Sequence, residues 1–201
     1  TSSVAVFGNT SNLTPPIPAD HPVNPNDIYS NHKVECEELI KKSKLKEWII
    51  LRIGLASYIE VEMATDQIEA MFDYPADLRV EFVHVKDVAL ACKNALTTEH
   101  INESYIIGGG SSCQMTYYDV LTQIFSTFHL PPPPREKFST EVPYGNDWYD
   151  TTRSQKVFQY QRHTFDDYLK DVQDALGRKR IFLRLMSPIT SLYMKRLYNK
   201  P

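Results

Sequence analysis

Three cysteines in 201 residues, Cys36, Cys92 and Cys113, are too few and too widely spaced to staple a fold. Their number is odd and no CxxC occurs, which argues against a disulfide framework and against a zinc site. No metal is therefore expected, and a reducing compartment, the cytoplasm, is the expected location. The sequence also lacks a signal peptide and any uninterrupted apolar run of membrane-spanning length. A net charge of −3 carries no nucleic-acid signature. No internal repeat is present. Nor is there an initiator methionine: the chain opens directly on "TSSVAVFG". That strand-like run would need upstream neighbours to pair with, so a preceding N-terminal portion of the same protein is expected.

What is present is ordinary for one globular domain, with 42% hydrophobic and 23% charged residues. "SSVAVF" (2–7) predicts a buried strand closed by Gly8, and the proline- and asparagine-rich stretch 9–27 a loop. A helix capped at residue 26 or 27 is expected to run to about residue 44. Further strands are expected at 47–54, 80–85 and 104–110, the last ending in a glycine turn. Helices are expected at 60–72, 86–96, 116–128, 151–158 and 164–176. Strands alternating with helices define an α/β class with a mostly parallel sheet. The four prolines at 131–134 read as a stiff connector.

Within the first helix, "YSNHK" places Tyr29 and Lys33 at i and i+4, on one face. Chance alone supplies about one such pair in a chain of this composition. The chemistry is nevertheless specific. A free tyrosine titrates near ~10, and an adjacent ammonium lowers that value and makes the phenol a usable general acid or base. A hydroxyl at the end of a neighbouring strand can orient a substrate oxygen, and "TSSVAVFG" supplies one.

These blocks, followed by "IILRIG", "VEFVHVKDVALAC" and "YIIGGG", stand in the order found in extended short-chain dehydrogenases/reductases. Over roughly residues 1–175 the chain resembles that NAD-dependent epimerase/dehydratase family, minus its glycine-rich cofactor motif. The resemblance implies a partial Rossmann-like sheet with a small, mostly helical substrate-side region. It divides the chain into 1–130 (the C-terminal half of an NAD(P)-binding domain), 131–176 (a substrate-side lid segment) and a basic tail from 177. It implies Tyr29 as catalytic acid/base, Lys33 as ligand of the nicotinamide ribose and tuner of the tyrosine, and Ser3 as partner of the reacting oxygen. The cofactor would be NAD or NADP, gripped mainly by the missing half, and the substrate a small molecule. Epimerase, dehydratase and simple alcohol/ketone oxidoreductase all fit. A non-catalytic scaffold that retains the fold is the alternative.

Departures from the pattern bear on substrate. Leu55 replaces an asparagine that usually contacts substrate phosphates, and Val80 stands where an arginine is usual, with Arg79 displaced by one. Losing both groups favours a substrate other than a nucleoside-diphosphate sugar. Arg135 or Arg153 would be the compensating cations. Arg52, at a strand end, is a candidate ligand contact or an ion-pair partner. Trp148 and Tyr149 are candidate lid residues. In "VHVKDVA", Asp87 reads as a helix cap and His84 as a local hydrogen-bonding group.

The last segment is basic, with seven Lys or Arg and no acid after Asp174, which leaves 15 basic against 25 acidic groups before it. Ile181, Phe182, Leu185, Met186, Ile189, Leu192, Tyr193 and Leu197 fall on one side of a helix kinked at Pro188. Residues 178–200 suit peripheral contact with an anionic membrane. They equally suit packing on the acidic remainder or a homodimer contact.

Overall fold

The computed structural model describes residues 1–57, 65–141 and 146–198. Three parallel strands, β1 (Ser2–Ser3), β2 (Ile49–Ile53) and β4 (Glu103–Ile107), pair in the order β1-β2-β4. Helix α1 (Ile28–Lys42) crosses from β1 to β2, and α3 (Val85–Ala95) precedes β4. This is the partial Rossmann-like α/β sheet anticipated from sequence. Both faces of the sheet are covered, as parallel sheets require. Tyr105 and Ile107 join Leu51, Ala91 and Phe158 on one side, while Ile106 joins Val4, Phe7, Ile17 and Tyr149 on the other.

Two strand expectations need correction. The run 2–7 is not one strand, because after Ser3 the chain tightens into a 3-10 turn at Val4–Phe7. The Ser3 hydroxyl drives this by accepting from the Ala5 N–H at 3.2 Å, a local bond that competes with the ladder. The expected strand at 80–85 is instead β3 (Arg79–Glu81), antiparallel to β5 (Gln114–Thr116) in a separate two-stranded sheet. One parallel bridge, Leu55 to Phe82, links this region back toward β2.

The helices fall close to expectation. Asp27 caps α1 through a reciprocal box with Ser30. The expected helix at 60–72 is a short α2 (Thr65–Ala70) followed by a 3-10 turn at Met71–Asp73, and its beginning lies outside the described residues. Helices α4 (Tyr117–Thr127), α5 (Thr152–Phe158) and α6 (Phe165–Leu176) follow. Leu78, Val80, Phe82, Phe165, Tyr168 and Val172 form a second core between the β3–β5 sheet and helices α4 and α6.

The tail, α7 (Lys179–Tyr198), is one continuous helix through Pro188. Its orientation differs from what the apolar stripe suggests. Leu183, Met194, Leu197 and Tyr198 pack inward, whereas Ile181, Leu185, Ile189 and Leu192 face solvent.

Candidate active site

In an open parallel sheet, ligands collect at the carboxyl ends of the strands. Here those ends are Ser3, Ile53 and Ile107, which stand in register. Helix α1 leaves this edge packed against β1 and the 3-10 turn. Its first turns carry Tyr29 and Lys33. The Lys33 Nζ lies 5.4 Å from the Tyr29 ring centroid, a cation–π contact that holds ammonium and phenol together. Tyr29 is 55% exposed, and Lys33 makes no ion pair among the described residues. Lys33 also lines a cavity of about 250 Å³ with Thr1, Ser2, Cys36 and Trp48. Ser3 Oγ is engaged with the Ala5 amide, while Ser2 is buried on the Glu37 side of β1.

Arg52 is a structural ion-pair residue. Its Nε and NH2 grip the Glu37 carboxylate at 2.9 and 2.7 Å, and NH1 reaches the Ala19 carbonyl at 3.2 Å. Both side chains are buried, and the guanidinium stacks over Phe7. Burial opposes ionisation of Glu37. The hydrogen bonds and charge of Arg52, with the Ser2 hydroxyl and Lys41 nearby, still hold its carboxyl below the usual range.

Arg79 and Glu81 alternate with buried Val80 and so share one face of β3. Arg79 Nε donates to Asp147 at 2.6 Å, and its NH2 reaches Asp147 and the Leu13 carbonyl at 2.9 and 3.1 Å. Asp147 is fully buried and also accepts from the Thr10 hydroxyl at 2.7 Å. Glu81, likewise fully buried, accepts from the amides of Gly110 and Tyr149 and from the Gln114 side chain. Burial raises its pKa in spite of these donors. Together the two residues fix the 147–149 segment and the turn after β4. A Cβ at Gly108 would sit 2.2 Å from Glu81 Oε1, and Gly110 holds φ +77°, so this triglycine is a tight turn around a carboxylate.

Reading the sequence missed Glu81 and Asp147. An acid inside the apolar strand "VEFVHV" was the signal for the first. Nothing local marks the second, whose partner lies 68 residues away.

Other candidates take other places. Tyr149 is 2% exposed, stacked on Phe7, and borders the same cavity as Trp148. Trp148 is half-buried and donates its indole N–H to the Met115 carbonyl at 3.3 Å. It lines a cavity of about 550 Å³ with Gly110, Gln114, Asp150, Thr151 and Gln161, which offers amides, hydroxyls and one carboxylate but no lysine or arginine. Leu55 is held in the bridge to Phe82. Arg153 pairs with Glu103 at the amino end of β4, opposite the crevice, and Arg135 pairs with Asp77. The capping expectation is reversed. His84 caps α3 by accepting from the Lys86 amide at 3.1 Å. Asp87 instead ties α3 to the chain before α6, accepting from the amides of Arg162 and His163 and lying 2.5 Å from His163 Nδ1.

No protein-family model matches the sequence, and no curated protein matches it. Solved structures do match in fold. The architecture is that of NAD-dependent epimerases and dehydratases of the short-chain dehydrogenase/reductase type. UDP-glucuronic acid 4-epimerase from Bacillus cereus, solved with UDP-glucuronic acid and NAD, superposes with a TM-score of 0.67 at 20% identity, over 88% of this chain and 60% of that one. dTDP-glucose 4,6-dehydratase from Bacillus anthracis, in complex with NAD, gives 0.63 at 18%, over 88% and 60%. A short-chain dehydrogenase/reductase superfamily protein from Agrobacterium tumefaciens with bound NAD gives 0.66 at 17%, over 93% and 67%. The chain thus spans about 60% of the length of the first two.

Proposed function

We propose that this chain is the substrate-side and acid/base portion of an NAD(P)-dependent oxidoreductase, epimerase or dehydratase. The observation that carries the reading is the Tyr29–Lys33 pair on α1, at the carboxyl edge of a parallel sheet whose first strand ends in Ser3. The residues fit one end of a dinucleotide. Lys33, a cation without an ion pair among the described residues, would hold the ribose hydroxyls, and Tyr29 would stand beside the reacting carbon. When bound, the nicotinamide supplies hydride exchange at that carbon. Tyr29 takes the proton from the substrate hydroxyl as it becomes a carbonyl and returns it in the reverse direction. Lys33 stabilises the phenolate that this requires. The hydroxyl of Ser3 turns to the substrate oxygen by exchanging its bond to the Ala5 amide.

The substrate we favour carries no diphosphate. Asp147 already neutralises Arg79, and buried Val80 and bridged Leu55 offer neither charge nor donor. A pyrophosphate left without cations in a half-buried site costs several kcal/mol. The test is a substrate panel on the full-length protein, following nicotinamide reduction for net oxidation and chromatographic product formation for epimerisation or dehydration, in which the hydride is returned and no net reduction accumulates. Hydrophobic alcohols and ketones are set against UDP- and TDP-sugars. Turnover of an alcohol or ketone is expected. Efficient turnover of a nucleotide sugar would overturn the substrate assignment, and no hydride exchange with any class would favour the scaffold reading.

A further inference from the structure

Helix α7 turns toward solvent the face that its sequence would be expected to bury. Its inner side is anchored: Met194, Leu197 and Tyr198 pack with Met71 and Phe125, and the Ser187 hydroxyl donates to the His129 carbonyl at 2.9 Å. Its outer side carries Ile181, Phe182, Leu185, Ile189, Leu192 and Tyr193, which are 55–73% exposed. Steps of four, four and three residues from 181 to 192 align them in one stripe, about 18 Å long over the span 181–193 at helical rise. Single exposed apolar residues are unremarkable, but a continuous stripe marks a surface that meets something apolar.

Charge decides what it meets. Arg196 falls in the same angular sector as the stripe at its C-terminal end, and the exposed Arg178 sits in the turn just before its N-terminal end. Beside Ile181, the residues Arg180, Arg184, His129 and Gly177 line a cavity of about 270 Å³. No acidic residue occurs after Asp174. We propose that this face is a docking surface for an anionic lipid bilayer. The apolar stripe enters the boundary between headgroups and acyl chains, the arginines at its two ends rest on phosphates, and Arg184 reaches the headgroups from the flank. The helix lies on the membrane and does not cross it. Its opposite side is packed on the protein, and among the described residues no helix is long and apolar enough to span. A second copy fits less well, because two antiparallel stripes would set Arg178 against Arg196 at both ends of the contact.

The test is flotation of the full-length protein with phosphatidylcholine vesicles, with and without phosphatidylglycerol. Binding is expected to the vesicles that contain phosphatidylglycerol, weakening as salt rises. Leu185→Glu with Leu192→Glu is expected to lower it by about tenfold or more while circular dichroism stays unchanged, since both side chains are exposed. Arg178→Gln with Arg196→Gln should weaken binding and flatten its salt dependence. Absence of phosphatidylglycerol-dependent binding, or equal binding by the glutamate variant, overturns the proposal. So does a dimer in sedimentation equilibrium that the glutamate variant dissociates while vesicle binding is absent.

Discussion

A lysine ammonium poised 5.4 Å from a tyrosine ring centroid can serve two partners at once, the phenol and a sugar hydroxyl. Lys33→Ala is therefore expected to weaken cofactor binding and turnover together, with turnover down about a hundredfold or more. Titration of the cofactor alongside steady-state rates checks this. Arg52 tests the opposite kind of residue. Its guanidinium neutralises a buried carboxylate, so Arg52→Ala should cost about 3–5 kcal/mol of stability by stranding Glu37. Urea denaturation reads that loss. The same pair sets a pH dependence. Glu37 has a folded pKa below its ordinary 4.5, so its contribution is present above that value and disappears as pH falls through the depressed folded one. Stability should drop on the acid side of 4.5, and removing Arg52 should make that slope shallower.

Among the elements, those with local determinants were legible in the sequence. The Asp27 cap and the i, i+4 pair fixed α1 within two residues, and Thr116 and Thr164 did the same for α4 and α6. What failed depended on partners far along the chain. Val4–Phe7 has the composition of a strand, but a single Ser3-to-backbone bond curls it. The run at β3 has the pattern of a parallel core strand, yet its partner is β5, which pairs with it antiparallel from far along the chain, Arg79 opposite Thr116 for example. The period of α7 reveals a stripe but cannot say whether the stripe faces in. At this scale, Asp27→Ala should destabilise the protein by about 1 kcal/mol through loss of the α1 cap. Thermal denaturation checks it, and a null effect would mean that α1 is held by packing alone.

Across the whole molecule, the sheet and its covering helices match in fold about 60% of the length of the epimerase and dehydratase on which the chain superposes. The glycine-rich turn and helix N-terminus that bind a pyrophosphate are not among these 201 residues. The chain by itself is accordingly expected to show no micromolar affinity for NAD(P) in calorimetric titration. The share of the work proposed for it is proton transfer, and that is open to one direct measurement. In the full-length protein with substrate and cofactor, Tyr29→Phe removes the transferable proton and leaves the ring and Lys33 in place. The expected result is a fall in turnover of about 10²–10⁴-fold with cofactor affinity nearly unchanged. Wild-type turnover by Tyr29→Phe would contradict the assignment of Tyr29 as the acid/base.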